Sequence, residues 1–312
     1  MNDRPKIMVV AQRDEPEFAM LAGVPHVMAS DATSGVSVIL QWSGTREMLR
    51  DAFAKCKDVR WVHSRFAGVD AVLFPELVAS DVVMTNGKGV FSAALGEFAL
   101  MGMLYFAKDI PRLRRSQAAG KWDPFESERI EGRTVGIVGY GDIGQAVATR
   151  ARAMGMQVFA TKRHVPKRPD ALVEQYFKSA ELREMLALCD YVVVAAPLTE
   201  ETRHMMGDAE FAAMKPTAVL INVGRGPVVD TDALVRALSE KRIRGAALDV
   251  VEPEPLPAGH PLYAMENVML SPHCADVVAG WNEDSMRFFL EQYARFEKGE
   301  PLMNVVDKGL GY

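Results

Sequence analysis

The sequence predicts an α/β protein made of two doubly wound parallel sheets. Three observations carry that expectation. Short β-rich runs alternate with helix-compatible segments along most of the chain, the rhythm of parallel strands covered on both faces. The alternation restarts at residue 134 after a long helical stretch, which gives two strand series rather than one. A glycine-rich turn, Gly139-Tyr140-Gly141-Asp142-Ile143-Gly144, follows a strand directly and opens a helix at the head of the second series.

The first series comprises KIMVVA at 6–11, GVSVIL at 35–40, VRWVH at 59–63 and DVVMTN at 81–86. Glu47 to Lys55 and Pro75 to Ala79 are short connections of helical composition, as βαβ units require. From Ser92 to about Ala119 a long helical pattern is apolar nearly all round at first and then basic, with Arg112, Arg114 and Arg115, so it is expected to bridge two units. The second series follows at 134–139, 157–161, 190–196, 217–223, 245–250 and 267–270. Trp281 to Lys298 reads as an amphipathic helix that leads into PLMNVVDKG, and by elimination this end packs back on the first unit. With no long linker, the expected division is residues 1–97 with 285–312 against residues 98–284.

Composition narrows the function. A chain of 312 residues, 49% apolar and 25% charged, buries two ordinary cores, which excludes disordered and fibrous classes. A net charge of -5 leaves no broad cationic surface for nucleic acid. The longest apolar run, Phe98 to Ala107, is about half of the ~20 residues that span a bilayer, so no membrane is expected. The N-terminus lacks the pattern of a secretory signal. Cys56, Cys189 and Cys274 are odd in number and widely spaced, with no metal-ligand pattern, which fits a reduced cytoplasmic protein without a metal.

The glycine turn has a physical reading as a dinucleotide site. The first glycine permits a tight turn, the second lets the backbone approach a pyrophosphate, and the third lets helix and strand pack closely. About 20 residues on, NAD sites carry an acid that accepts from the ribose hydroxyls. Here that place is Lys162, within Thr161-Lys162-Arg163-His164-Val165-Pro166-Lys167-Arg168, a stretch with four permanent cations and no acid. Such a stretch suits a 2'-phosphate, so NADP(H) is expected over NAD(H), with NAD(H) possible.

Three polar residues follow strand ends, where a doubly wound sheet presents its ligands. Arg225, in NVGRGPVVD, has glycines on both sides that leave its guanidinium able to fork onto a carboxylate. Glu254 lies in the stiff loop DVVEPEPLP, with Glu252 a nearby competitor. His273, in SPHCAD, is the residue type whose ordinary pKa of ~6.5 suits proton transfer at neutral pH.

These segments resemble the D-isomer-specific 2-hydroxyacid dehydrogenases, a family that includes glyoxylate/hydroxypyruvate reductases and phosphoglycerate dehydrogenases. The resemblance runs in order through GRTVGIVGYGDIGQAVA, APLTEETRHMM, AVLINVGRGPVVDTDAL, ALDVVEPEPLP and SPHCAD, and more weakly through FAGVD near Asp70. It implies a Rossmann coenzyme domain inserted into a flavodoxin-like substrate domain made of both chain ends, in a homodimer. It implies that Arg225, Glu254 and His273 are catalytic, whereas Glu252 does not match. It implies that Ala67 and Gly68 hold the substrate carboxylate through backbone amides and that Trp42 lines the substrate pocket. It further places Val223 and Asp249 around the nicotinamide, and Pro197 and Thr202 beside the cofactor. From the residues alone, Trp42 and Phe66 read equally as core aromatics or as pocket walls.

The implied reaction is hydride transfer between NADP(H) and a small 2-oxo acid or D-2-hydroxy acid, glyoxylate and hydroxypyruvate first. A phosphoglycerate-dehydrogenase-like enzyme is the alternative within the class, and a dinucleotide-sensing corepressor-type binding protein is the alternative outside it. Two departures stand out: Lys162 in place of the ribose-binding acid, and Cys274-Ala275-Asp276 where an aliphatic residue, Ala and Gly are frequent.

Overall fold

The computed structural model describes residues 4–29, 33–163, 168 and 170–312. The chain forms two compact units, residues 1–91 with 279–312 and residues 92–278. Both breaks fall earlier than the sequence expectation, at the heads of the long helices Ser92–Ala107 and Trp281–Lys298. A continuous helix moves as one body, so a division is favoured at its end rather than inside it.

The first unit holds β1 (Lys6–Val10), β2 (His26–Met28), β3 (Val36–Gln41), β4 (Trp61–Ser64) and β5 (Val83–Asn86), with helices α1 (Arg46–Lys55) and α2 (Pro75–Val78). Its parallel sheet has the order β2-β1-β3-β4-β5, the flavodoxin-like arrangement. Side-chain alternation divides the core in two. Met8, Val10, Ile39 and Val62 face Leu49 and Ala52 of α1 and Leu77 of α2. Ile7, Val9, Val38, Leu40 and Trp61 face Met286, Phe289 and Tyr293 of the helix Trp281–Lys298. The C-terminal tail joins the same unit, where Val306 N donates to Met84 O and Lys308 Nζ caps carbonyls at the end of α2, Leu77 O at 3.0 Å among them.

One polar cluster is sealed in this core. Thr85 Oγ1 accepts from Trp61 Nε1 at 2.8 Å and lies 2.7 Å from His63 Nδ1, so one hydroxyl joins the indole and the imidazole. Burial pushes the His63 pKa down to about 3. The folded value is depressed, so the stability tied to neutral His63 is whole above ~6.5 and is lost as pH falls toward 3, by up to ~1.4 kcal/mol per pH unit. His63→Gln cannot titrate, and urea unfolding should show its acid-side loss between pH 6.5 and 4 reduced by about 3 kcal/mol. An unchanged loss would place the acid sensitivity elsewhere.

The second unit holds β6 (Thr134–Val138), β7 (Gln157–Thr161), β8 (Gln175–Phe177), β9 (Tyr191–Val194), β10 (Val219–Asn222), β11 (Gly245–Leu248) and β12 (Val268–Leu270). Its helices are α3 (Ser92–Ala107), α4 (Ile110–Ala118), α5 (Asp142–Ala153), α6 (Leu182–Leu188), α7 (Asp208–Ala213) and α8 (Thr231–Ser239). The parallel sheet runs β12-β11-β10-β9-β6-β7-β8, the Rossmann order with one further strand, and its order reverses between β6 and β9. Gly96 and Gly102 bring the backbone of α3 close to α5 and to Ala247 of β11, which buries Leu95, Phe98, Ala99 and Met103, while Glu97 and Met101 stay exposed. Both sheets carry one short strand that the sequence pattern does not announce, β2 and β8, each at an edge.

Candidate active site

The glycine turn sits at the carboxyl end of β6, beside the point where the strand order reverses. Gly139 has φ +93, and a Cβ there would lie 2.6 Å from Ala196 N just beyond β9, so a side chain is excluded twice. At Gly141 a Cβ would meet nothing within 4 Å, which leaves open space above the start of α5. At Gly144 it would lie 2.8 Å from Gly139 O, the mark of close helix and strand packing. No side chain caps α5, so its first N–H groups are available to an anion. Asp142 turns its carboxylate to Ser92 Oγ at 2.9 Å, and Ile143 is half-buried on the same turn. Tyr140 is buried and donates from its hydroxyl to Asp170 Oδ2 at 2.9 Å, so its side chain braces the turn. Burial, reinforced by Asp170, pushes that phenol well above its ordinary range.

Thr161 ties the turn to the end of β7. Its Oγ1 accepts from Gly139 N at 3.2 Å and its carbonyl from Tyr140 N at 3.1 Å. Lys162 and Arg163 follow at once, so the basic residues stand beside the glycine turn. Arg163 Nη2 pairs with Glu201 Oε2 at 2.6 Å. His164, Val165, Pro166 and Lys167 of the basic stretch lie outside the described residues. Pro197 is exposed, and Thr202 braces it by donating from Oγ1 to Pro197 O at 2.6 Å.

Arg225 follows β10 on a turn shaped by Asn222, whose side chain accepts from Gly224 N at 3.1 Å and donates to Arg225 O at 3.2 Å. Val223 in the same turn is buried. Glu254 and His273 meet: Nδ1 of the imidazole lies 2.7 Å from Glu254 Oε2, while Glu254 Oε1 accepts from Val251 N at 3.0 Å. Glu252 is engaged elsewhere, with Arg203 at 3.0 Å and His204 at 2.7 Å. His273 has φ +54, a strained value for a residue with a side chain. Asp249, beyond β11, holds it there: Asp249 O accepts from His273 N at 2.9 Å. Asp249 Oδ1 takes Ser271 Oγ at 2.6 Å and the amides of Cys274 and Ala275, each at 3.0 Å. Asp249 is buried, so its carboxylate is spent on fixing the histidine loop.

In the other unit, the loop with Ala67 and Gly68 is fixed by Asn86 Nδ2 donating to Ala67 O at 2.6 Å and by Gly87 N donating to Phe66 O at 3.0 Å. Trp42, which the resemblance puts at the substrate pocket, is buried. Its ring has no exposed surface, donates from Nε1 to Glu15 Oε2 at 2.8 Å, and lies under the Arg65 guanidinium at 4.6 Å. The ring packs in the core against Phe18 and is covered by Arg65, while Phe66 stays exposed, 4.7 Å from the same guanidinium.

Among the described residues, no group of three or more His, Cys, Asp or Glu side chains is placed to hold a metal ion, and no helix is long and apolar enough to cross a membrane. The family model for the D-isomer specific 2-hydroxyacid dehydrogenase NAD-binding domain matches residues 100–275. The chain belongs to this dehydrogenase family. Among its relatives, a glyoxylate reductase of Thermococcus gammatolerans is 35% identical over 267 residues, 83% of this chain and 79% of that protein. A D-3-phosphoglycerate dehydrogenase of Methanocaldococcus jannaschii is 31% identical over 93% of this chain and 55% of its own length. A family member from Xanthobacter autotrophicus Py2, solved with NADPH and MES, has a TM-score of 0.86 and 32% identity, covering 99% of this chain and 100% of that one. An NADPH-dependent glyoxylate/hydroxypyruvate reductase from Sinorhizobium meliloti, solved with NADP and sulfate, has a TM-score of 0.84 and 27% identity, covering 99% and 100%.

For a dehydrogenase of this family, sequence reasoning names the side chains suited to chemistry and misses those that hold them. Thr161, Asn222 and Ser271 all stand at strand ends. A Thr, Asn or Ser in that place is a local signal for side-chain bonding to a turn, but it does not say which turn.

Proposed function

We propose that this chain reduces small 2-oxo acids to D-2-hydroxy acids with NADPH, glyoxylate and hydroxypyruvate foremost. The observation that carries the reading is the pair of Glu254 with His273 Nδ1 at 2.7 Å, which leaves Nε2 to present a proton. Gly139, Gly141, Gly144 and the start of α5 would hold the pyrophosphate, a fit supported by the open space over Gly141. Lys162 and Arg163 would take the 2'-phosphate, in line with the NADPH and NADP bound by the two solved relatives. When bound, NADPH supplies the hydride.

The chain supplies the rest. His273, protonated, gives its proton to the oxygen as negative charge develops there, and Glu254 holds the imidazole in the orientation that aims Nε2 outward. Arg225 forks onto the substrate carboxylate and polarises the carbonyl. Ala67 and Gly68 are proposed as carboxylate-binding amides, and Val223, Asp249, Pro197 and Thr202 as the scaffold beside the cofactor. A homodimer in the cytoplasm completes the reading.

The test is a set of initial rates with NADPH and NADH against glyoxylate, hydroxypyruvate, pyruvate and phenylpyruvate at neutral pH. NADPH should exceed NADH in kcat/KM by about 10-fold or more, the worth of one charge-assisted contact to the 2'-phosphate. An enzyme that binds NADPH yet reduces none of these acids would overturn the reading. A preference for NADH would overturn the role given to Lys162 and Arg163.

A further inference from the structure

We infer that Glu252 and His204 are positioning residues of the reaction: with Arg203 they form a clamp that fixes the aim of Glu254, and through it that of His273. The inference rests on the reductase reading and goes further by giving a role to the second carboxylate of the glutamate loop, which the proton transfer does not use.

The clamp is a second pair of imidazole and carboxylate beside the first. Glu252 Oε2 lies 2.7 Å from His204 Nε2, and a carboxylate only accepts, so the imidazole donates. Glu252 Oε1 accepts from Arg203 Nη1 at 3.0 Å, so both of its oxygens are held. Arg203 and His204 continue the segment from Pro197 to Thr202 that is proposed to border the cofactor. That segment is closed on itself by Thr202 Oγ1 donating to Pro197 O at 2.6 Å and by Arg203 N donating to Thr199 O at 3.0 Å. It is also joined to the arginine turn: His204 N donates to Pro227 O at 2.8 Å, Met206 N to Val228 O at 3.1 Å, and Asp230 N to Met206 O at 3.0 Å. His204 has φ +51, a left-handed value uncommon for a residue with a side chain. In that conformation its amide serves the arginine turn while its ring serves the glutamate loop.

Glu254 depends on this placement. Pro253 alone separates the two glutamates, and its ring fixes φ, so a turn of the chain at Glu252 is passed on rather than absorbed. On the other side of Glu252 is Val251, whose N–H holds Glu254 Oε1 at 3.0 Å and whose carbonyl is pressed against Gly226. Glu254 Oε2 in turn lies 2.7 Å from His273 Nδ1. As a source of stability the clamp is weak, because its side chains are a third to a half exposed and such pairs are worth little in water. As a source of alignment it is strong, since a displacement of about 1 Å costs as much as 10²-fold in rate.

The experiment measures kcat and KM for glyoxylate and hydroxypyruvate, the pH profile of reduction, NADPH affinity by fluorescence titration and the urea midpoint. The enzymes compared are the wild type, Glu252→Ala, His204→Gln and His204→Ala. Glu252→Ala should lower kcat by about 10-fold, with KM and NADPH affinity within about 3-fold of the wild type and the urea midpoint nearly unchanged. Its rate of reduction should fall at lower pH than that of the wild type, because a carboxylate no longer held against the imidazole favours the imidazolium less. A merely structural role would leave that profile in place. His204→Gln, whose amide can donate where Nε2 does, should keep a kcat at least about 3-fold above that of His204→Ala. A Glu252→Ala enzyme with the wild-type kcat, or with a lowered kcat and an unmoved profile, overturns the inference alone. So does a His204→Gln enzyme no faster than His204→Ala, and this pair decides if Glu252→Ala does not fold. A wild type that binds NADPH and reduces neither acid overturns the reductase reading together with the inference.

Discussion

His273→Gln should lower kcat for oxo-acid reduction by at least ~10²-fold while NADPH affinity stays within about 2-fold of the wild type. The glutamine amide is close in size and still reaches Glu254, so the loop pinned by Asp249 keeps its shape. What it cannot do is exchange a proton near neutral pH. The loss therefore belongs to kcat, because the interaction with the oxygen strengthens only as charge develops there. NADPH binding, read by fluorescence titration, depends on the glycine turn and the basic corner, which the substitution does not touch. The sign of the pH dependence follows from the same role. Reduction needs the imidazolium, so its rate should fall as pH rises and the imidazole loses its proton; oxidation of the hydroxy acid needs the neutral base, so its rate should fall as pH drops. Both slopes should vanish in His273→Gln. A variant with near-normal turnover, or wild-type profiles with the same slope in both directions, would remove His273 from the chemistry.

The glycine turn was legible in the sequence because it is a local demand, and Glu254 and His273 were legible one by one as polar residues past strand ends, whereas their contact across 19 positions is made by the fold. A residue with φ +93 pressed on Ala196 has to be glycine, and an acid in a proline-stiffened loop advertises itself without its partner. The strand series were legible for the same reason, since buried parallel strands are continuous apolar runs. The strands His26–Met28 and Gln175–Phe177 were not, because their three residues, with His26 and Gln175 exposed, form no continuous apolar run. Asp249 was legible as a position but not as a pin, for the four bonds that its carbonyl and carboxylate accept come from residues 22 to 26 positions away that the parallel pairing of β11 with β12 brings near. Trp42 shows the limit most plainly. Its type is consistent with a pocket wall, and it is Phe18 and the apolar cluster below, with the guanidinium of Arg65 from the next strand's end above, that make it core.

Gly226→Ala should lower activity by about 10²-fold or more and destabilise the folded chain by about 3 kcal/mol, although Gly226 touches no reactant. Its backbone dihedrals are not the reason. A Cβ at Gly226 would fall far inside van der Waals contact of the Val251 carbonyl and 3.0 Å from Glu252 N. Neither of those atoms is the far end of a flexible side chain, so the backbone has to move. On one side of the contact is the turn that carries Arg225; on the other is Val251, whose N–H holds Glu254 Oε1. The substitution thus separates the arginine loop from the glutamate loop, and a displacement of about 1 Å is enough to cost 10²-fold in a reaction that depends on aligned groups. Gly259→Ala is the comparison: its φ of +79 strains a side chain, but a Cβ there meets nothing within 4 Å. That variant should lose only about 1 kcal/mol in urea unfolding and keep its kcat. If Gly226→Ala instead matched Gly259→Ala in both stability and rate, the arginine and glutamate loops would not be coupled through this contact, and the alignment of Arg225 with Glu254 and His273 would have to come from elsewhere in the sheet.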